Sequence, residues 1–201
     1  KYMYDSARIA REKGIKNIMV SAGYIKERPL LDLCRYIDAA NIDLKSFSND
    51  IYMRLNAGKL DTVLDTLQIM KQEGVWLEIT NLVVPQWTDD MDMIREMCRW
   101  LYNHGFHDTP LHFSRFHPMY KLTHLPATPV SVLNRAREIA LEAGLNYVYI
   151  GNVPGSEGEN TFCPSCGKKI ITRKGFHILH NELTEGKCGY CQAPIAGVWR
   201  G

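Results

Sequence analysis

Residues 11–20, REKGIKNIMV, decide the fold because they join a charged helix end, a glycine and an apolar strand. The same order recurs three times, in KQEGVWLEIT (71–80), YNHGFHDTPLHF (102–113) and LEAGLNYVYI (141–150). In each copy the glycine fits the left-handed position that ends a helix. The glycines are Gly14, Gly74, Gly105 and Gly144. Repeated helix–strand units predict a parallel sheet with helical crossovers.

Hydrophobic spacing extends this pattern to the whole α/β part of the chain. It predicts strands near 17–21, 40–45, 76–84, 111–116 and 147–152 and helices near 2–13, 28–38, 60–73, 89–104 and 130–143. Thr128 is expected to cap the last of these helices. A barrel-like fold and an open doubly wound sheet both satisfy the alternation. The lack of GxGxxG and GxxxxGK phosphate loops in the sequence weakens the open sheet.

Composition excludes several classes of protein. The 201 residues are 45% hydrophobic and carry a net charge of +2, which gives no electrostatic case for nucleic acid or membrane. No apolar run is long enough to cross a bilayer. We expect a cytoplasmic protein with Cys34 and Cys98 as buried apolar residues. Because Lys1 already lies inside an amphipathic pattern, we expect a fragment of a longer protein.

One predicted strand carries polar residues where a buried strand should be apolar. Asn41, Asp43 and Lys45 alternate with apolar residues and therefore share a face. Glu78 and Thr80 share a face on a second strand. A buried ion pair inside a packed sheet is one explanation, and such pairs are costly to desolvate. We favour a ligand-lined interior, because ligands bind at the C-terminal ends of parallel strands.

Four cysteines near the end form two CxxC knuckles, CPSCG and CGYCQ, with 21 residues between them. The expected ligand set is Cys163, Cys166, Cys188 and Cys191, which suits a tetrahedral structural zinc site. Two redox CxxC pairs and rubredoxin-like iron remain alternatives. The lysines and arginines between the knuckles are expected to be a solvated face, with nucleic-acid binding as a minor hypothesis. They are Lys168, Lys169, Arg173 and Lys174.

Several motifs together resemble one enzyme family over nearly the whole chain. They are VSAGY, NIDLKSFSNDIYMRL, LVVPQWTDD, SRFHPMYKLTHLPATP, YVYIGNVPG and ENTFCPSCG…CGYC…IAGVW. They are similar to radical S-adenosylmethionine enzymes related to pyruvate formate-lyase activating enzyme, and most similar to the AmmeMemoRadiSam system group. The resemblance implies a partial (β/α) barrel, a 4Fe-4S cluster and reductive cleavage of S-adenosylmethionine to a 5′-deoxyadenosyl radical.

The resemblance also implies which residues meet the cofactor. Asp43 and Lys45 match the strand-end DxK pair that contacts it. Ser21 and Gly23 match a small-residue turn, although Ala22 replaces the usual asparagine. His117 matches the histidine after a later strand and is the catalytic candidate. Asn81 and Arg115 are further cofactor-binding candidates, whereas Thr80 stands where activating enzymes carry an inward arginine.

The sequence lacks the CxxxCxxC loop that holds the cluster in this family. We therefore expect the cluster ligands upstream, a truncated barrel over residues 1–155, a zinc-ribbon tail over 156–201, and no activity from this fragment alone. Expected partners are a peptide or protein substrate, for example a glycyl radical enzyme, and an electron donor such as flavodoxin or ferredoxin. The alternative is a non-catalytic scaffold whose zinc ribbon binds a protein or nucleic acid.

Overall fold

The computed structural model describes residues 1–199, which form two compact units. The first unit is Lys1–Thr80 and the second begins at Asn81. One strand crosses this boundary, so it begins in the first unit and ends in the second.

The first unit is built from alternating helices and parallel strands. Its elements are α1 Tyr2–Glu12, β1 Ile18–Ser21, α2 Glu27–Cys34, β2 Ala39–Asp43, α3 Asn49–Asn56, α4 Leu60–Gln72 and the start of β3 Trp76–Val83. Strand β2 lies between β1 and β3 and pairs in parallel with both. Each parallel connection needs a crossover, and α2 and α4 supply the two crossovers.

Strand alternation separates a buried face from a half-exposed face in this unit. On β2 and the residue after it, Ile42 and Leu44 are fully buried, whereas Asn41 and Asp43 are only partly covered. Buried leucines and valines of α2 and α4, such as Leu30 and Val63, supply further core. The polar residues therefore lie on one side of the sheet and the hydrophobic core on the other.

The second unit continues the alternation. It contains the end of β3, then α5 Met91–Asn103, β4 Leu111–Arg115, a 3-10 turn at Tyr120–Leu122, α6 Val130–Glu142 and β5 Val148–Gly151. Strands β4 and β5 pair in parallel, with Phe113 beside Ile150. The Asp90 carboxylate caps α5 by accepting from the backbone N–H groups of Asp92 and Met93.

A small antiparallel module follows in the same unit. It contains a 3-10 turn at Glu157–Glu159 and the short strands β6 Thr161–Phe162, β7 Lys169–Lys174, β8 His177–Asn181, β9 Leu183–Thr184 and β10 Lys187–Cys188. Strands β6, β7 and β8 form one sheet, and β9 pairs with β10. The buried side chains of Ile170, Ile171 and Ile195 pack with Tyr147, the residue before β5.

The predicted strands and helices are confirmed, apart from local differences. The four helix-ending glycines have φ of 74°, 75°, 76° and 93°. Helix α2 ends at Cys34, four residues before its predicted end, and α3 is absent from the prediction. The prediction that Thr128 caps α6 is wrong. Its hydroxyl instead donates to Val83 O at 2.6 Å and accepts from Phe116 N at 3.0 Å.

The glycine-rich segment 151–162 is a packed connection. Gly158 is buried, and a Cβ at this position would lie 2.8 Å from Ile150. Asn160 is also buried, and its Oδ1 accepts from Arg173 N at 2.8 Å. A division of the chain near residue 155 stays a prediction.

Among residues 1–199, no helix combines the length and apolar character that crossing a membrane requires.

Candidate ligand face and candidate metal centre

Asp43 and Lys45 form an ion pair at the C-terminal end of β2. The Lys45 Nζ lies 2.8 Å from Asp43 Oδ2, and the two side chains are 34% and 32% exposed. Asp43 and Lys45 lie on the face of β2 opposite to their buried neighbours Ile42 and Leu44. That this face lines an open interior where a ligand binds stays a prediction. An ion pair that is one-third exposed is reachable by a ligand and adds little to stability.

The polar row continues onto the neighbouring strand. In the β2–β3 register, Asn41 lies beside Glu78 and Asp43 beside Thr80. The Thr80 hydroxyl donates to Asn41 Oδ1 at 2.9 Å. The amide, the hydroxyl and the two carboxylates therefore share one face of the parallel sheet, where apolar residues are the norm.

The turn after β2 is held by α3, the helix that the sequence analysis missed. The Ser48 hydroxyl caps α3 by accepting from Ile51 N at 3.5 Å. Tyr52 of α3 is 3% exposed, and its hydroxyl oxygen accepts from Lys45 N at 2.9 Å. Burial raises the pKa of Tyr52 to about 12, so the phenol stays neutral. A serine followed by NDIYMRLN was a capping signal for this helix.

Local packing accounts for the presence of glycine at position 23 and serine at position 21. Gly23 has φ +67°, and a Cβ there would lie 2.8 Å from Ile42 Cγ2. Its carbonyl accepts from the buried Thr66 hydroxyl at 2.7 Å, and its N–H donates to Ser21 Oγ at 3.1 Å. Glycine is therefore required for close approach, whatever else the turn binds. Cofactor contacts at both positions stay predictions.

The other three candidates lie in the second unit. Asn81 is buried on the opposite face of β3 from Thr80, and its Nδ2 lies 3.8 Å from Met97 Sδ. The Arg115 guanidinium donates from Nε to Thr128 O at 2.9 Å. His117 is exposed in the loop after β4. The roles predicted for these three residues stay predictions.

The four cysteines of the two knuckles come together in the antiparallel module. Their sulfur atoms all lie within 4.8 Å of one another, with Cys163 and Cys191 3.7 Å apart and Cys166 and Cys188 3.8 Å apart. A regular tetrahedron with about 2.3 Å from its centre to each sulfur has edges of about 3.8 Å. The group therefore fits one tetrahedrally bound metal ion, and the distances are far above the ~2.05 Å of a disulfide.

The second knuckle favours a thiolate. Burial disfavours ionisation of Cys188, but the backbone N–H groups of Cys191 and Tyr190 hydrogen-bond to its sulfur and lower its pKa to about 7. Metal ions bind the thiolate form of cysteine. These N–H groups lie where they stabilise the thiolate form of Cys188.

The remaining two cysteines are poor metal ligands. Cys34 and Cys98 are buried, and burial raises their pKa values to about 11 and about 12. The prediction that they are apolar core residues is confirmed. Among the described residues, the knuckle cysteines are the one group of three or more metal-ligating side chains. The sequence contains no CxxxCxxC loop.

The sequence comparison finds a longer relative. The chain is 45% identical over 197 residues to the uncharacterized protein MJ0808 of Methanocaldococcus jannaschii, matching 97% of this chain and 58% of that protein. The chain therefore spans less than two thirds of the length of the curated relative that it matches. No family model matches the chain.

Solved structures with the same fold include enzymes that use S-adenosylmethionine. A domain of pyruvate-formate lyase-activating enzyme from Bacteroides vulgatus aligns with a TM-score of 0.63 at 14% identity, covering 75% of this chain and 90% of that domain. Streptococcus suis SuiB bound to S-adenosylmethionine gives 0.60 at 11% identity, covering 81% and 39%. A radical SAM methyltransferase from Sphaerobacter thermophilus gives 0.55 at 14%, covering 77% and 58%.

These likenesses define the class of fold. The chain has the α/β fold with a parallel sheet that radical S-adenosylmethionine enzymes possess, followed by a module with a four-cysteine metal-binding group.

Proposed function

We propose that this chain is the C-terminal portion of a radical S-adenosylmethionine enzyme of the pyruvate formate-lyase activating type, in the AmmeMemoRadiSam group. Its role is to bind S-adenosylmethionine on the half-exposed face of β2 and β3. The observation that carries the proposal is the Asp43–Lys45 ion pair at the C-terminal end of β2. Ligands of parallel α/β folds bind at that end of the strands.

The ion pair suits a zwitterionic ligand. S-adenosylmethionine carries a carboxylate, an ammonium and a sulfonium, so it offers opposite charges to both Asp43 and Lys45. The side chains are held on one face by the strand alternation and keep about one third of their surface open. Their mutual contact costs little to break when a ligand replaces it, because partly exposed ion pairs are weak.

The cluster ligands belong to another part of the longer protein in this proposal. Strand β1 supports this: within the first unit it pairs with β2 alone, and its Ile18 and Val20 are 73% and 76% exposed. Exposed apolar residues on a strand are a liability that proteins normally cover. We propose that further chain of the same protein covers them.

The antiparallel module is a structural zinc ribbon in this proposal. The sulfur–sulfur distances of 3.7 and 3.8 Å support a single ion rather than a cluster. In a cluster each thiolate binds a different iron, which holds the sulfurs farther apart. Zinc with four thiolates forms a closed, tetrahedral site that stabilises short segments.

Partners and location follow from the enzyme class. The substrate is a peptide or protein, with a glycyl radical enzyme as the first candidate. An electron donor of the flavodoxin or ferredoxin type and a cytoplasmic location complete the proposal.

The decisive experiment uses the full-length protein, prepared anaerobically. Asp43→Ala should weaken S-adenosylmethionine binding, measured by calorimetry, without lowering the iron and sulfide content. Thr123→Val, an exposed change in the second unit, is the control. Unchanged affinity in Asp43→Ala would contradict the proposal. The 201 residues alone, reconstituted with iron and sulfide and reduced, should yield no 5′-deoxyadenosine above the background of free iron and sulfide.

A second candidate is a non-catalytic scaffold whose ribbon binds a partner. It is favoured by strand β8, which is exposed along its whole length and carries Ile178 and Leu179 at 60% and 53% exposure beside Phe176. One measurement separates the candidates. Titration of S-adenosylmethionine into the full-length protein gives binding heat for the enzyme and none for a scaffold.

A further inference from the structure

Lys45 lies beyond the part of β2 that the sheet holds in place. Pairing of β2 with β3 ends at Asp43 and Thr80, two residues before Lys45. The ladder of the sheet therefore does not fix the backbone of Lys45. The Lys45 Nζ nevertheless reaches back to the Asp43 carboxylate at 2.8 Å. A contact outside the sheet must therefore hold the backbone of Lys45 in place.

That contact comes from helix α3. The Tyr52 hydroxyl oxygen accepts from the backbone N–H of Lys45 at 2.9 Å, and the backbone of Ser46 hydrogen-bonds to the same oxygen. Both backbone groups lie in the turn after β2. One phenol oxygen thus binds two successive residues of the chain where the sheet no longer does.

The turn itself is tied to the start of α3. Ser48 N donates to Ser46 Oγ at 3.1 Å, and Tyr52 N donates to Ser48 O at 3.0 Å. Ser46 is fully buried and Tyr52 is 3% exposed. These hydrogen bonds connect the turn after β2 to the first turns of α3, and the bond from Lys45 N to the Tyr52 hydroxyl connects α3 back to the end of β2.

We propose that Tyr52 is the positioning residue for Lys45, so that removing its hydroxyl loosens the turn and weakens ligand binding at the Asp43–Lys45 pair. The inference rests on the proposed S-adenosylmethionine site. It adds a residue that touches neither the ligand nor the side-chain ion pair. The neutral phenol suits this task, since a neutral oxygen accepts from two N–H groups without placing a second negative charge beside Asp43.

The first measurement needs no variant. Amide hydrogen exchange in the full-length protein should show Lys45 and Ser46 protected to the same degree as Ile42 within β2. Fast exchange at both amides in the wild-type protein would overturn the proposal at once, because the hydrogen bonds to Tyr52 would then not persist in solution.

The second measurement compares Tyr52→Phe with Tyr36→Phe. Both remove one hydroxyl from the first unit, but Tyr36 lies before β2 and bonds Tyr4 at 3.4 Å. We expect Tyr52→Phe to lose the protection of Lys45 and Ser46 and to bind S-adenosylmethionine about 3- to 10-fold more weakly, the effect of one or two lost hydrogen bonds. Tyr36→Phe should leave both quantities unchanged.

The outcomes separate this inference from the function on which it rests. If Asp43→Ala weakens binding and Tyr52→Phe does not, the positioning role is wrong and the site stands. If neither change affects binding, the proposed site is wrong. If Tyr52→Phe does not fold, Ser48→Ala replaces it, because loss of the cap loosens α3 while leaving the phenol in place. Unchanged protection and affinity in a folded Ser48→Ala protein would then count against the inference.

Discussion

Replacing Cys163 by serine tests the metal site most directly. Cys163 is 1% exposed, and its sulfur lies 3.7 Å from that of Cys191. Serine keeps the size of the side chain but removes a soft thiolate ligand. We expect the Cys163→Ser protein to lose the metal ion that the proposal assigns to this group and the antiparallel module to unfold.

The magnitude follows from the small size of the module. Its strands have two to six residues, and three isoleucines form most of its apolar core: Ile170, Ile171 and Ile195. Burying such side chains contributes about 1.5–3 kcal/mol each. Structural zinc supplies about 10–16 kcal/mol of apparent binding free energy. Without the ion the balance favours the unfolded segment.

Unfolding of the module should also lower the stability of the α/β part of the second unit. Tyr147 is 5% exposed and packs in the same cluster as the module's isoleucines, and its hydroxyl accepts from Ala196 N at 3.0 Å. Exposing the ring of Tyr147 to water should lower the free energy of unfolding of the neighbouring strands by about 1.5–3 kcal/mol. Because segment 151–162 is packed, we expect unfolding of the module to destabilise β5. A flexible linker would instead leave the rest of the fold unaffected.

The assay combines elemental analysis with hydrogen exchange. The wild-type protein should contain one zinc ion per chain, and Cys163→Ser far less than one. Exchange should become fast over residues 161–199 and moderately faster at β5. The control is Cys98→Ala, which removes a buried thiol outside the group and should keep the zinc. Full zinc content in Cys163→Ser, or a folded wild-type module without any metal, would refute the reasoning.

Three further predictions follow from individual contacts. The Asp38 carboxylate accepts from Asn17 N at 2.8 Å and pairs with Lys16, and both contacts lower the pKa of Asp38. The ionised carboxylate therefore stabilises the fold above its unfolded pKa of about 3.9, and this stabilisation is lost as the pH falls through the folded pKa. Urea unfolding between pH 7 and 3 should therefore show less acid destabilisation in Asp38→Asn than in wild type, with exposed Asp65→Asn behaving as wild type. Thr128→Val leaves the buried Phe116 N–H without its partner and should lower the free energy of unfolding by about 1–3 kcal/mol, whereas a loss no greater than that of Thr123→Val would contradict this. Chelation should expose four thiols to a disulfide reagent and denaturation all six, because burial keeps Cys34 and Cys98 protonated and covered; reaction of six thiols in the folded protein would count against it.

The sequence by itself determined the order and type of most elements. The helix-ending glycines and the apolar spacing are local signals, so they could be read without knowing what packs against what. The same holds for the face shared by Asn41, Asp43 and Lys45, because strand alternation has a fixed period. The grouping of the four knuckle cysteines could be predicted from their spacing for the same reason.

Tertiary structure decided which groups these residues meet. Thr128 lies just before a helix, at a position typical of a capping residue. Its hydroxyl nevertheless forms hydrogen bonds with the backbone of Val83 and Phe116, which are 45 and 12 residues away. Tyr52 reaches back to Lys45 because α3 turns the chain onto the end of β2. A hydroxyl bonds whichever backbone group folding leaves unpaired beside it. For Thr128 that choice depends on the packing of distant segments, which no local pattern in the sequence encodes.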